Sequence, residues 1–290
     1  MSRRIPAALG ALALAAAAGG CDVSARSASA APQSWRTLDV ARQLADSGVH
    51  QVRVDYEAGQ LDVHGADPGL LYDMSLRYDE SSTEPVHALA ADARALELGV
   101  RTRGEERGGR RGAGEMRLGL AARTPLDLTF ELGAVEADLD LGGLAIESLA
   151  IRSGASDARL RFQEPNRVPM RRLAINVGAA SLRATGLANA NAETLAIGAG
   201  VGSVELDFGG HWTRDLTATV DITLGSVTVH VPSDVGVRLD VDRMLASLNT
   251  GGLERRDDAY YSDNWDTAPH RLRLEVDTVI GNFELDRSAP

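Results

Sequence analysis

The sequence predicts an all-β fold, a single-stranded parallel β-helix or solenoid of about seven turns behind a β-rich N-terminal cap. Three observations carry that expectation. Apolar starts recur at Leu126, Leu149, Leu173, Leu195, Leu216, Val237 and Leu272, spaced 23, 24, 22, 21, 21 and 35 residues apart. A fixed period in this range marks stacked turns, none of which can bury its apolar face alone. Within each turn, apolar and polar residues alternate with the period of a strand. In nearly every turn the parity of that alternation switches at a glycine.

The turn at Leu149 shows the pattern. Leu149 and Ile151 are apolar at odd positions, Gly154 follows, and Leu160 and Phe162 are apolar at even ones. The same switch takes Leu126, Leu128 and Phe130 through Gly133 to Ala137, Leu139 and Leu141. It takes Leu173 and Ile175 through Gly178 to Leu182, and Leu195 and Ile197 through Gly200 and Gly202 to Val204, Leu206 and Phe208. Leu216, Ala218, Val220, Ile222 and Leu224 pass Gly225 to Val227, Val229 and Val231, and Leu272, Leu274 and Val276 pass Gly281 to Phe283 and Leu285. A one-residue slip in a strand turns every later side chain to the other face, so a corner is needed to keep both halves facing one interior. Glycine suits that corner. The turn at Val237 runs through Met244, Leu245 and Ala246 without a glycine, which predicts ordinary backbone angles there. An antiparallel meander with glycine turns is the alternative, but a meander does not require a corner at the same phase of every repeat.

The chain opens with Arg3 and Arg4, an apolar run from Ile5 to Ala18, then Gly19, Gly20 and Cys21. These are the parts of an export signal, and the run is short for a membrane span. Cys21, the sole cysteine of 290 residues, stands where the lipobox of bacterial lipoproteins places its acylated thiol, with Ala18 in place of the usual leucine. Residues 1–21 are therefore expected to be a lipoprotein signal and 22–34, rich in Ser and Ala, a flexible tether. Cleavage after Ala30 is the other option. The diacylglyceryl group of a lipoprotein meets the two-signal rule for stable anchoring. Asp22 resembles the residue that holds some lipoproteins at the inner membrane.

Loss of Arg3 and Arg4 takes the formal charge from −11 to −13, which argues against nucleic acid as a partner. All 30 basic residues are arginine, so Schiff-base chemistry and a lysine-bearing phosphate loop are excluded. One cysteine permits neither a disulfide framework nor a thiolate metal site.

Residues 35–124 do not keep the period. Val52, Val54 and Tyr56, then Leu61 and Val63, alternate around Glu57-Ala58-Gly59-Gln60 and read as a hairpin. Leu71 to Tyr78, Ala95 to Val100 and Met116 to Leu120 read as further strands, and Val40 to Ala45 as a short helix. This segment is expected to cap one end of the stack, with the repeats at 125–290. The run from Arg101 to Arg117 holds six arginines among glycines and glutamates, and reads either as an arm for anionic headgroups or as a solvated hairpin loop.

No catalytic constellation emerges. The six histidines lack zinc spacing, no HExxH or GxSxG motif occurs, and Gly198-Ala199-Gly200-Val201-Gly202 sits inside a repeat with no helix after it. His64 and Asp62 share a strand face and read as a surface pair. No cofactor is expected. The best candidate surface is the insertion at 251–270, with Tyr260, Tyr261, Asp263, Trp265 and Asp266 at its centre. Aromatics among carboxylates can stack on sugar rings or form a partner hot spot, and the acids can hold Ca²⁺, though not with EF-hand spacing. The other reading is a loop that folds back to close the stack.

Pro125-Leu126-Asp127-Leu128, Leu132-Gly133-Ala134 and Leu139-Asp140-Leu141-Gly142-Gly143-Leu144 resemble the bacterial toast-rack domain, a group of β-solenoid envelope proteins related to the C-terminal domain of cell-wall-active-antibiotic response proteins. Tyr260-Tyr261-Ser262 with Asn264, Leu274-Glu275-Val276 and Ile280-Gly281-Asn282 resemble the closing turn of the same group. The resemblance implies a cell-envelope module without an active site, tied in some members to envelope-stress sensing through a membrane kinase. The antibiotic-response proteins carry transmembrane helices before the domain, where this chain carries an export signal and one cysteine. The expected function is a non-enzymatic envelope lipoprotein that binds a protein or glycan partner. The alternatives are a polysaccharide-cleaving β-helix enzyme, with acids lining a groove, and a passive adhesin-like spacer.

Overall fold

The computed structural model describes residues 33–45, 48–90, 94–103 and 114–288. The signal segment 1–21 with Cys21, nearly all of the tether, and residues 104–113 of the arginine-rich run lie outside the described residues. Among the described residues the chain forms fifteen strands and a short 3-10 helix at Leu187–Ala190. The fold is an all-β solenoid.

Its body is a ladder of long bent strands: β2 (His50–Gly65), β7 (Leu126–Asp140), β8 (Ile146–Arg161), β9 (Met170–Thr185), β10 (Ala192–Asp207), β11 (Leu216–Pro232), β12 (Gly236–Asn249) and β15 (Arg271–Ser288). Neighbours in the ladder are parallel, in the order β2, β7, β8, β9, β10, β11, β15, β12. The register explains the repeat. Leu128, Leu149, Leu173, Leu195, Ala218, Leu274 and Leu239 stand opposite one another in a single inward column. All seven are buried. Burial of an aliphatic side chain contributes about 1.5–3 kcal/mol gross, and each rung alone would leave half of that in water.

The parity switch is a corner in every one of these strands. In β8 the inward series Leu149, Ile151, Ser153 gives way to Ser156, Ala158, Leu160, so two inward side chains are three residues apart. Two columns of small residues make this corner possible. Gly133, Gly154, Gly178 and Gly200 occupy the first, and a Cβ on Gly178 would lie 2.5 Å from the carbonyl oxygen of Gly154. Gly59, Gly202, Gly225 and Gly281 occupy the second, with φ between 125° and 156°. Met244, Leu245 and Ala246 turn the β12 corner without a positive φ, as the sequence predicts.

Three local expectations are corrected. The segment around Glu57 to Gln60 is not a hairpin but the corner of β2, which pairs parallel with β7 from His50 to Val63. The parallel ladder therefore reaches back into the segment expected to cap it. Val40 to Ala45 is not helical: β1 (Trp35–Gln43) alternates against β3 (Leu70–Asp79). Leu224, inward by the alternation of Leu216 to Ile222, is 43% exposed, because it falls between the two corner columns where the chain points outward.

Chain order is kept from β7 to β11 and then broken. β15 lies between β11 and β12, parallel to both. At the other end β5 (Ala95–Thr102) lines the first half of β2 and β6 (Gly114–Leu120) the second, so together they make one split rung. Antiparallel strands close this rung: β4 (Thr83–Leu89) on β5, and β3 followed by β1 on β6. Pro85 stands on β4, which among the described residues pairs with β5 alone, so its missing N–H disrupts no second ladder there.

Candidate functional site

The insertion folds into a clasp on the terminal rung. Gly251 and Gly252, with φ of 60° and 84°, turn the chain out of β12. A two-residue turn at Asp257-Asp258 then joins β13 (Glu254–Arg256) to β14 (Ala259–Tyr261). β14 adds to the free edge of β12, placing Tyr261 opposite Arg238 and Tyr260 opposite Leu239. Ser262 is buried and continues the seam, its N–H donating to Val237 O at 2.9 Å and its Oγ accepting from Val237 N–H at 2.8 Å. The N–H groups of Thr267 and Ala268 donate to Asn264 O at 3.0 and 2.8 Å, which closes the turn.

Within this frame the structure brings Tyr261 and Trp265 together, edge to face, with centroids 5.6 Å apart. Four guanidinium groups surround the pair: Arg273 and Arg271 at 5.6 and 5.8 Å from the Trp265 ring, Arg256 and Arg238 at 5.7 and 5.9 Å from Tyr261. Tyr260 is half-buried against the core with Arg255 over it at 6.0 Å. The two carboxylates do not converge. Asp266 pairs with Arg256 at 3.7 Å and Asp263 with Arg287 at 3.3 Å, both on the outer surface. Among the described residues, no group of three or more His, Cys, Asp or Glu side chains is placed to hold a metal ion.

Arg287 is the pin of the clasp, a residue the sequence reading did not single out. Its side chain is 13% exposed, and Nη2 donates to Ser233 O at 2.7 Å, Val235 O at 3.0 Å and Asn264 Oδ1 at 3.1 Å. Arg271 works beside it, donating from Nε to Trp265 O at 3.0 Å. An arginine three residues from the end of the chain carries no signal in sequence; only the return of β15 beside β12 brings it to the insertion.

A second feature runs along the corner edge. Between the two corner columns lies an outward column whose members are Ala58, Ala134, Ala155 and Ala179 on the first rungs, then Val201, Leu224, Ile280 and Leu245. Beside it, on the outward face of the first half-strands, stand Asp221, Asp277 and Asp242 in register. An open groove of about 670 Å³ runs along that outward face beside the column, lined by Glu131, Arg152, Asn176, Asp221 and Asp277. Arg152 is committed to Glu131 at 2.5 Å. The arginines described at the margins of the 101–117 run are paired as well: Arg101 with Glu97 at 3.5 Å, Arg103 with Glu84 at 3.7 Å and Arg117 with Glu115 at 3.3 Å. His64 and Asp62 form an exposed pair at 3.3 Å.

Two titratable groups at the N-terminal end are perturbed. Burial pushes the Tyr56 hydroxyl well above the ordinary tyrosine range, with Glu115 adding to it, and the hydroxyl has no hydrogen-bond partner among the described residues. Burial also pushes the Asp79 carboxyl up, but bonds from Ser81 Oγ at 2.7 Å, Ser34 N at 2.9 Å, Ser81 N at 3.1 Å and Ser82 Oγ at 3.3 Å outweigh it, and the group sits below its usual range. Asp79 thereby staples the start of β1 to the end of β3.

No curated protein matches the chain. Solved structures similar to it include a candidate cell adhesion protein from Clostridium sporogenes, 14% identical over 87% of this chain and 100% of its own, with a TM-score of 0.46. A candidate adhesin from Parabacteroides merdae is 11% identical over 88% and 96%, with a TM-score of 0.40. One from Bacteroides fragilis is 9% identical over 88% and 98%, with a TM-score of 0.36. Likeness at this level assigns no ligand to the chain. The family described as the N-terminal domain of toast_rack, DUF2154, matches residues 32–168, a span that takes in β1 to β6 and the first rungs of the ladder. Residues 32–168 thus belong to the toast-rack family as its N-terminal domain.

Proposed function

We propose that this chain is a non-enzymatic envelope lipoprotein, held by acylated Cys21 on the tether 22–34, whose solenoid binds an envelope protein or glycan through the clasp. The observation that carries the binding role is the composition of the clasp surface. Tyr261 and Trp265 stand together, ringed by Arg238, Arg256, Arg271 and Arg273, with Asp263 and Asp266 at the rim. Aromatic residues and arginine dominate interface hot spots, and a polar rim excludes water around them. Coupling to envelope-stress signalling is part of this reading and rests on the family alone.

Two measurements test it. Intact mass and membrane fractionation of the mature protein, beside Cys21→Ser, read the anchor: a diacylglyceryl mass on Cys21 that disappears with membrane association supports it, and a soluble product cut near Ala30 refutes it. Pull-down from cross-linked envelopes reads the binding. Enrichment of one partner by the native chain, lost with Trp265→Ala, supports the clasp as the contact; repeated recovery of nothing counts against it.

A specific observation also favours a second reading, that of a polysaccharide-cleaving solenoid. Asp221 and Asp277 line the corner groove together with Glu131 and Arg152. Release of oligosaccharide from envelope polysaccharide by the purified chain, abolished by Asp221→Asn, would establish it.

A further inference from the structure

The corner edge carries aliphatic side chains where a water-facing β-strand ordinarily carries polar ones. Val201, Leu224, Ile280 and Leu245 follow one another in register on β10, β11, β15 and β12, with Val279 and Met244 beside them. All six are between 36% and 76% exposed. On the earlier rungs the same column is alanine, so the apolar ridge belongs to one half of the stack only. Scattered exposed apolar residues need no explanation, but a contiguous row marks a contact.

We propose that this ridge lies against the lipid surface of the membrane that holds the anchor. The inference rests on the lipid-anchored reading above and extends it from the tether to the body. Three observations select lipid over a second copy. First, the ridge is the outer vertex of a corner, since both halves of each strand turn their inward side chains away from it. Two convex vertices bury little of each other, whereas a fluid interface closes around one.

Second, the described chain begins in line with the ridge. Arg77 stands opposite Glu115, and Glu115 opposite Gln60. Asp79, two residues further along, and its partner Trp35 therefore align with Ala58, the first member of the ridge column. The ridge lies seven to ten strand spacings from Trp35, about 34–48 Å at the usual separation. The fourteen steps from Cys21 to Trp35 reach about 46–50 Å when extended. An anchor at Cys21 thus leaves enough chain for the body to lie lengthwise, ridge down.

Third, the flanks suit headgroups. Asp221, Asp277 and Asp242 run along one side and meet the ammonium of zwitterionic lipids. Ser203, Ser226 and Asn282 run along the other and supply hydrogen-bonding groups.

The test uses the full chain with Cys21→Ser, tethered by a histidine tag placed ahead of residue 21 to phosphatidylcholine and phosphatidylethanolamine vesicles that contain a nickel-chelating lipid. This supplies an anchor whether or not a cell acylates Cys21, so failure of the anchor reading, seen in the intact mass, stays distinct from failure of the ridge contact. Leu245→Cys then provides the sole thiol for a polarity-sensitive dye, and Thr217→Cys, exposed on the first half of β11, provides the control. The expected result is a blue shift and loss of most of the emission to an acyl-chain nitroxide quencher for the dye at 245, no change at 217, and reversal when Ile280→Asp is added. A dye at 245 that stays in water on the vesicles overturns the proposal. So does an equal response at both positions. A blue shift without vesicles that grows with protein concentration also overturns it, and gives the ridge to a second copy.

Discussion

Gly225 is the place where the corner geometry can be measured most directly. Its φ is +149°, and a Cβ built there would lie 1.8 Å from the carbonyl oxygen of Gly202 and 2.9 Å from its carbon. Both atoms are backbone, so no side chain can swing aside. Gly225→Ala must therefore leave the glycine-only region of backbone space, at a cost of about 1–3 kcal/mol. It must also part β10 from β11 at the corner, an overpacking penalty of about another 1–3 kcal/mol. The sum, about 2–6 kcal/mol, exceeds what most single substitutions do. Gly154→Ala is the matched comparison, because it sits in the other corner column. Its φ is ordinary and its Cβ would meet Gly133 O at 3.5 Å, a normal contact. That substitution should change stability by no more than about 1 kcal/mol, in the favourable direction if anything. Urea denaturation of the three proteins, followed by far-ultraviolet circular dichroism, reads both values. Gly225→Ala within about 0.5 kcal/mol of the parent would refute the account of the corner.

Three more outcomes follow from the same contacts. Arg287→Met removes the donor to Ser233 O, Val235 O and Asn264 Oδ1. It should cost about 2–3 kcal/mol by loss of charge-assisted bonds, and hydrogen exchange should rise across 254–268 while β7 to β9 stay protected. Asp79→Asn should flatten the acid limb of stability. The folded carboxyl sits below the unfolded value of about 3.9, so its contribution is complete above that pH and is lost as pH falls through the folded value; a parallel acid limb in parent and variant would contradict this. Tyr56→Phe removes a buried hydroxyl without a partner among the described residues, and should stabilise by up to about 1 kcal/mol at neutral pH. Its pKa is raised in the folded state, so parent stability is unaffected by this group below about 10 and falls as pH climbs toward the folded value, and the variant should lose that alkaline limb.

The repeat was legible because the ladder writes itself into the chain twice, once as an inward period and once as a glycine at the switch. Leu128, Leu149, Leu173 and Leu195 announce the column they occupy. What lies at the switch was not legible. Leu224 continues the alternation of Leu216 to Ile222 without a break, and nothing before Gly225 says that the corner has already begun one residue earlier. The same blindness made β2 read as a hairpin. Glu57-Ala58-Gly59-Gln60 has the residues of a tight turn, and only its parallel neighbour β7 shows that the chain bends once and does not reverse. The clasp was half legible: Tyr260, Tyr261 and Trp265 stood out by composition, but Arg238, Arg271, Arg273 and Arg287 come to them through pairing that no local pattern records.

The order β11, β15, β12 explains why the longest interval in the repeat is where it is. Leu216, Val237 and Leu272 carry interchangeable patterns, so the apolar period permits either later strand to sit on β11. Three residues link β11 to β12, and at about 3.3 Å each they can cover the two strand spacings, about 9.6 Å, that skipping one rung requires. The chain then needs a long return to fill the vacant place, and the 251–270 insertion is that return. A stack wound in simple order would end on a bare strand, open to pairing with another chain. Here the last strand is enclosed between two others, and the segment that brings it home is laid across the edge left outside. That segment pairs with the first half of β12, at Arg238 and Leu239 and through Ser262 on Val237. The corner of β12, which carries Met244 and Leu245, keeps these apolar side chains outward. The fold therefore closes its end on the side of the clasp and leaves it open along the corner, which is where the aliphatic ridge runs.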